Sequence, residues 1–333
     1  MNKVAFWIKN ARHISLPQSL LPALLAVSMS WTHESFSWGL SCVALFGVIC
    51  VHLGMNLLDD YFDYREGSGE KRLRLAADGV RARVAKSPYL TLGLASVREL
   101  VGAIAVFFAC AVAAGVVIVA MRGETPLVIA LIAAVLGISY SGKPLQLGYY
   151  GYGELLIGLI FGPLLMAGMQ CAACGVVDVE LVLVGVAVGF LVTNILYSHS
   201  VLDLQADTRM GKTTLAALLK TPRARRVASA VFNFFPFVLV LAGVAAGLLP
   251  WAYLCVLFLL PMAVTLWRSI CRFTAGRRDS LRLRWWYGPM GRFDAYRAAG
   301  IDWFMYRWLM ARNLISFFAL LLLLANVILQ ITA

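Results

Sequence analysis

Two short stretches of this sequence gather acids more densely than a helix end or loop requires. The first is Asn56-Leu-Leu-Asp59-Asp60-Tyr-Phe-Asp63, continuing through Arg65, Glu66 and Gly67. The second is Asp203-Leu-Gln-Ala-Asp207-Thr-Arg209-Met-Gly211-Lys212-Thr-Thr-Leu215. His52, Asn56, Asp60 and Asp63 recur at three- to four-residue steps, and His199, Asp203 and Asp207 at four-residue steps, so each set shares one face of a helix. Carboxylates this close repel one another, and beside a membrane that repulsion is costly, so a cation is expected with them. Magnesium suits, because it takes one or two carboxylates, retained waters and phosphate oxygens. Asp59, Asp60, Asp63, Asp203 and Asp207 are the candidate magnesium ligands; Asp60, Asp63, Asp203 and Asp207 are the acids expected to be indispensable, with Asn56 assisting. Two facing clusters would clamp one diphosphate through bridging metal, with Arg209 and Lys212 on the remaining phosphate oxygens. A lone aspartate at a helix end is ordinarily a solvated cap. Two clusters with paired spacing at equivalent helices argue for a ligand instead. His52 and His199 read either as packed histidines or as substrate-facing groups, and the basic run from Arg72 to Lys86 as lipid-headgroup or phosphate contacts.

The elements that must position these residues are membrane helices. Of 333 residues, 61% are hydrophobic and only 14% charged, with a mean hydropathy of +0.80. Soluble domains run nearer ~45–50% apolar and ~25% charged. The net charge of +12 falls in loops between apolar runs, where it sets topology and meets anionic headgroups, so nucleic acid is not an expected partner. The seven cysteines are an odd number set mostly in apolar segments and read as small buried hydrophobes. Cys171 and Cys174 form a CxxC without a second pair to complete a zinc site.

Apolar segments of spanning length fall at about 16–33, 38–58, 97–121, 125–141, 153–173, 180–199, 227–248, 251–267 and 313–332. The N-terminal basic residues lead into the first of these, which reads as a retained span rather than a cleaved signal. With the N-terminus cytoplasmic, nearly every loop lysine and arginine lies on that side, and the opposite loops hold little beyond Arg122. The acidic segments then leave the second and sixth spans on the same, cytoplasmic face. Four helices separate them, as in a parallel duplication with a site between the halves.

On these motifs the chain resembles the UbiA-type membrane prenyltransferases, and within them the 1,4-dihydroxy-2-naphthoate polyprenyltransferase branch of menaquinone biosynthesis. Three stretches carry the likeness: Asn56 to Gly67; Tyr140-Ser-Gly-Lys143-Pro144 through Gly148, Gly151, Gly153-Glu154 and Phe161-Gly-Pro163; and Asp203 to Leu215. Ala11-Arg12 followed by Leu16-Pro17 also fits. The chain departs where the family usually writes Asn-Asp and this sequence has Asp59-Asp60, and where asparagines are common and His199-Ser200 stand here. The resemblance implies an all-α integral membrane protein of about nine transmembrane helices in a bundle with a central cavity. Residues 1–267 would form the core with eight spans, 268–312 a basic, aromatic cytoplasmic or interfacial loop, and 313–333 the last span. It implies magnesium-dependent transfer of a polyprenyl group from its diphosphate to an aromatic acceptor, in a bacterial inner membrane. Lys143 would add charge for the diphosphate, and Tyr140 would face the acceptor, with His199 a further substrate contact. Haem, a glycerol phosphate lipid or a sugar phosphate are the alternative acceptors, and a cation-coupled transporter is the rival of another class.

Overall fold

A computed structural model describes residues 2–67, 74–75, 88–279 and 282–332. Every regular element among them is a helix. The chain divides into two compact units, Met1–Leu147 with Leu164–Val177, and Gly148–Pro163 with Asp178–Ala333.

The first unit opens with α1 (Lys3–Asn10) and α2 (Pro17–Ser30), followed by α3 (Trp38–Arg65), the short α4 (Pro88–Thr91), α5 (Val97–Arg122) and α6 (Thr125–Ser141). The Ser37 hydroxyl caps the start of α3, and Ser96 with Glu99 forms a capping box on α5. α5 lies along α3. Their approach is close because Gly54 has no side chain: a Cβ there would stand 2.9 Å from the Phe108 ring. Leu53 and Leu57 of α3 pack with Ala11, Tyr89, Leu90, Leu100 and Ile104 in a buried apolar cluster. That cluster fixes the rotation of α3 about its axis, and with it the direction of the first acidic motif.

The helix α7 (Gly153–Cys174) carries a π-helical turn over Ile160–Leu164 around Pro163, and the division between units falls within that turn. Proline cannot donate to the helical ladder, which accounts for the interruption. The C-terminal half of α7 belongs to the first unit, where Arg122 bonds the carbonyls of Ala172 (3.1 Å), Ser35 (2.7 Å) and Ala173. This explains the one arginine out of keeping with the charge distribution. It caps the carbonyl end of α7, where a cation is favoured by unpaired C=O groups and the helix dipole.

The second unit contains the N-terminal half of α7, then α8 (Val179–Leu202), α9 (Leu204–Arg209), α10 (Leu215–Leu218) and α11 (Pro222–Ala245). It closes with α12 (Trp251–Thr274), α13 (Phe293–Ala298) and α14 (Asp302–Thr332). Glycines let α7 and α8 meet backbone to backbone: a Cβ on Gly162 would lie 2.4 Å from the Gly185 carbonyl oxygen. Small residues at such crossings are how apolar helices associate in lipid. α8 is joined to α11 by a reciprocal amide pair between Asn194 and Asn233, at 3.1 and 3.2 Å.

Seven helices among the described residues are long and apolar enough to cross a membrane. The first and fourth expected spans form shorter helices, α2 of 14 residues and α6 of 17, bounded by Pro17 and Trp31 and by Pro126 and Gly142. The segment expected as a loop over 268–312 is partly helical, because α12 runs on to Thr274 and α14 begins at Asp302. Gly162→Val should destabilise the protein by about 2–3 kcal/mol, since the added methyls meet backbone that cannot yield. Gly102→Ala, at an exposed site on α5 with nothing within 4 Å, should be neutral or slightly stabilising. Thermal unfolding in detergent distinguishes the two.

Candidate functional site

The first acidic motif occupies the last turns of α3. A helix C-terminus is the wrong end for carboxylates, because the dipole there is negative. Asp60 and Asp63 are nevertheless buried, at 2% and 4% exposure, so something must compensate them. Arg12 does part of this. It sits in the left-handed region, at φ 60° and ψ 45°, and its Nη2 reaches the Asn56 carbonyl at 2.7 Å, Asp59 Oδ2 at 3.3 Å and Asp60 Oδ1 at 3.4 Å. Burial alone would lower the Arg12 pKa, but the charges of Asp60 and Asp59, the Asp59 hydrogen bond and Asp63 outweigh it and raise the value overall. Arg12 is therefore a fixed cation.

Asp59 also accepts a hydrogen bond from the Ser141 hydroxyl at 2.7 Å, and Asp60 from the Tyr89 hydroxyl at 3.1 Å. Burial, then the neighbouring Asp60 charge, raise the Tyr89 pKa and keep its proton in place to donate. Phe6 and Trp7 hold the Tyr89 ring edge-on from 6.2 and 5.7 Å. Asn56 turns its amide to the Ala11 carbonyl (2.9 Å) and to Ser15 (3.2 Å), and the Ser15 hydroxyl lies 2.8 Å from His52 Nε2. His52 and Asn56 thus hold the chain around Arg12. Tyr140 is half-buried in the last turn of α6, and Lys143 is exposed and paired with Glu66 at 2.8 Å.

The second motif lies in the other unit, where α8 gives way to α9. Asp203 and Asp207 are buried, at 2% and 4% exposure. His199 Nε2 stands 3.7 Å from Asp203 Oδ2, too long for a hydrogen bond, with its ring edge-on to Phe304. Gly211, at φ +75°, makes the turn after α9 that a side chain would strain. That turn brings the Lys212 N–H to the Asp207 carbonyl at 2.9 Å and its ammonium over the Tyr149 ring at 5.7 Å. Arg209 is exposed.

Buried Glu154 secures this loop from α7. Its Oε1 accepts from the Ser200 hydroxyl at 2.6 Å and from the Leu215 N–H at 3.1 Å, joining the two ends of the motif. The Thr213 N–H donates to the Tyr149 carbonyl at 3.0 Å beside it.

Oxygen donors dominate both sets, the chemistry magnesium prefers. Among the described residues, no group of three or more His, Cys, Asp or Glu is gathered to hold a metal.

Residues 19–288 match the model of the UbiA prenyltransferase family. The chain belongs to the UbiA prenyltransferase family. It is 27% identical over 248 residues to the 1,4-dihydroxy-2-naphthoate octaprenyltransferase of Mycobacterium tuberculosis, covering 73% of this chain and 80% of the relative. It is 28% identical over 234 residues to the 2-carboxy-1,4-naphthoquinone phytyltransferase of Synechocystis, covering 69% and 71%. Its fold is similar to that of a UbiA homolog from Archaeoglobus fulgidus solved bound to DMAPP and Mg2+, with a TM-score of 0.58 at 16% identity, covering 93% of this chain and 99% of that one. The protein is an integral membrane prenyltransferase of this family.

Arg12, Tyr89, Ser141 and Glu154 were not among the expected site residues. Arg12, Ser141 and Glu154 lie within stretches that carry the resemblance, which is the signal that could have found them. Tyr89 had none. Of the basic run from Arg72 to Lys86, only Arg74 lies within the described residues. For this UbiA-family enzyme, Glu154→Ala should cost about 1–3 kcal/mol by stranding the Ser200 hydroxyl and Leu215 amide, and lower kcat more than it raises KM. Glu154→Gln keeps an acceptor oxygen and should recover most of both; equal defects in the two variants would mean that charge, not hydrogen bonding, is what Glu154 supplies.

Proposed function

We propose that the protein transfers a polyprenyl group from its diphosphate to 1,4-dihydroxy-2-naphthoate, with magnesium as its cofactor. The observation that carries this reading is the pair of buried aspartate sets at the ends of α3 and α8–α9, in a chain whose relatives are named for prenyl transfer to naphthoate-type acceptors. Asp60 and Asp63, with Asp59, in one unit and Asp203 and Asp207 in the other would hold magnesium ions against the diphosphate. When bound, magnesium supplies Lewis-acid neutralisation of charge on the leaving diphosphate.

The chain's own groups do the rest. Tyr89 holds the Asp60 carboxylate, Asn56 holds the segment that carries Arg12, and Arg12 offsets the repulsion between Asp59 and Asp60. Glu154 and Gly211 fix the loop that presents Lys212, and Lys212 and Arg209 put positive charge where negative charge grows on the diphosphate. Lys143 adds to this once it parts from Glu66. Tyr140 and His199 contact substrate, Tyr140 on the acceptor side. As the bond to oxygen breaks, the allylic carbon gains positive character and the electron-rich ring carbon of the acceptor attacks it; the ring then loses a proton. Apolar helix surfaces keep water from that carbon.

Purified enzyme supplied with magnesium, one polyprenyl diphosphate and a panel of aromatic and phosphate acceptors should prenylate 1,4-dihydroxy-2-naphthoate and release pyrophosphate, as read by mass spectrometry. Product on another acceptor alone would overturn the acceptor assignment and leave the transfer reaction standing. Asp60→Ala and Asp203→Ala should each lower turnover by about 10²–10³-fold or more while the protein still inserts and unfolds normally. Near-normal turnover in either would remove that aspartate from the mechanism.

A further inference from the structure

The long helix α14 poses a problem of height. Its 31 residues amount to about 46 Å at ~1.5 Å per residue, against a hydrocarbon core of ~30 Å. Charges at Asp302, Arg307 and Arg312 leave 313–332 as its uncharged stretch, which alone fills ~30 Å, so residues 302–312 are expected at or beyond the headgroup level and the preceding loop in water with them. It folds back down instead. Asn313 donates through Nδ2 to the carbonyls of Tyr287 at 2.8 Å and Pro289 at 2.9 Å. Gly288, at φ +77°, lies so close to Phe317 that a Cβ there would come within 2.7 Å of its ring. Residues 287–289 are thereby fixed level with Asn313 to Phe317, where hydrocarbon gives way to headgroups.

What the loop displays at that level is unusual for a water-facing surface. Trp285 is 93% exposed and Leu283 is 40% exposed, with Arg282, Arg284 and Arg292 exposed around them. Trp286 is not part of the display; it packs on Tyr287 at 4.4 Å and lies beneath Arg284 at 5.8 Å. Of the acids nearby, Asp279 takes Arg272 and the fully buried Arg307, while Asp294 is exposed with Arg297 4.0 Å away, so the three arginines outnumber it. A tryptophan in water wastes its apolar area, whereas at the headgroup level its amphipathic ring is favoured. Arginine beside it presents a planar fork that matches phosphate.

We propose that residues 282–292 are an interfacial anchor for anionic phospholipid, with Trp285 seated at the headgroup–acyl boundary and Arg282 and Arg284 on headgroup phosphates. The anchor is built on the start of α14 and is independent of which acceptor the enzyme uses. It gives the basic, aromatic segment a binding partner of its own.

The test uses the full-length protein in vesicles of mixed phosphatidylcholine and phosphatidylglycerol, with one lipid or the other brominated near the glycerol end of its acyl chains. The fluorescence difference between wild type and Trp285→Phe isolates the Trp285 signal. Brominated phosphatidylglycerol should quench that signal several-fold more than brominated phosphatidylcholine. Arg282→Gln and Arg284→Gln should each reduce the preference, and the double variant should abolish it; all three positions are exposed, so the variants keep the fold. Equal quenching by the two lipids would overturn the anionic assignment. Quenching by aqueous acrylamide but not by either lipid would overturn the anchor altogether and make the surface one for a soluble partner.

Discussion

The structure turns on buried carboxylates, two of which, Asp60 and Asp63, stand where the helix dipole opposes them as well. Asp60 and Asp63 end α3, and Asp203 and Asp207 follow α8, all nearly inaccessible. The idealised cost of taking one such charge out of water is of order 20 kcal/mol, and several kcal/mol survive relaxation. No marginally stable protein keeps that arrangement without partners. Arg12, Tyr89 and Ser141 are the partners in the first unit, and their placement explains the chain around them. The left-handed turn at Arg12 aims its guanidinium, Asn56 and Ser15 hold that turn, and the aromatic edge contacts of Phe6 and Trp7 hold Tyr89.

The second unit solves a different problem with different means. There the loop carrying Asp203, Asp207 and Lys212 must be kept in one shape. Glu154 reaches both of its ends through Ser200 and Leu215. The glycine contacts between α7 and α8 set the base from which Glu154 extends. Ser200, at one of the departures from the family pattern expected from the resemblance, gives its hydroxyl to Glu154. Asp59, the other departure, is accommodated by Arg12 and Ser141.

Much of this was legible in the sequence, for identifiable reasons. Helix character follows from long apolar runs, and the shared faces of His52, Asn56, Asp60 and Asp63 and of His199, Asp203 and Asp207 follow from helical spacing. The role of Arg122 was not legible, because a capping bond to α7 fifty residues away leaves no periodic trace. Arg12 and Glu154 were hidden for the same reason, since their partners lie 44 to 61 residues off. The early start of α14 was missed because Asp302, Arg307 and Arg312 interrupt the apolar run. Arg307 is accommodated there by pairing with Asp279, which also holds Arg272.

The central claim is that the aspartates serve a magnesium-bound diphosphate, and binding tests it more directly than turnover. A thiolodiphosphate analogue of the prenyl donor, which cannot ionise at a useful rate, can be titrated into the purified enzyme by calorimetry with and without magnesium. Tight binding should require the metal and should be lost in both Asp60→Ala and Asp203→Ala. Binding that is equally tight in chelator, or unchanged in those variants, would contradict the account.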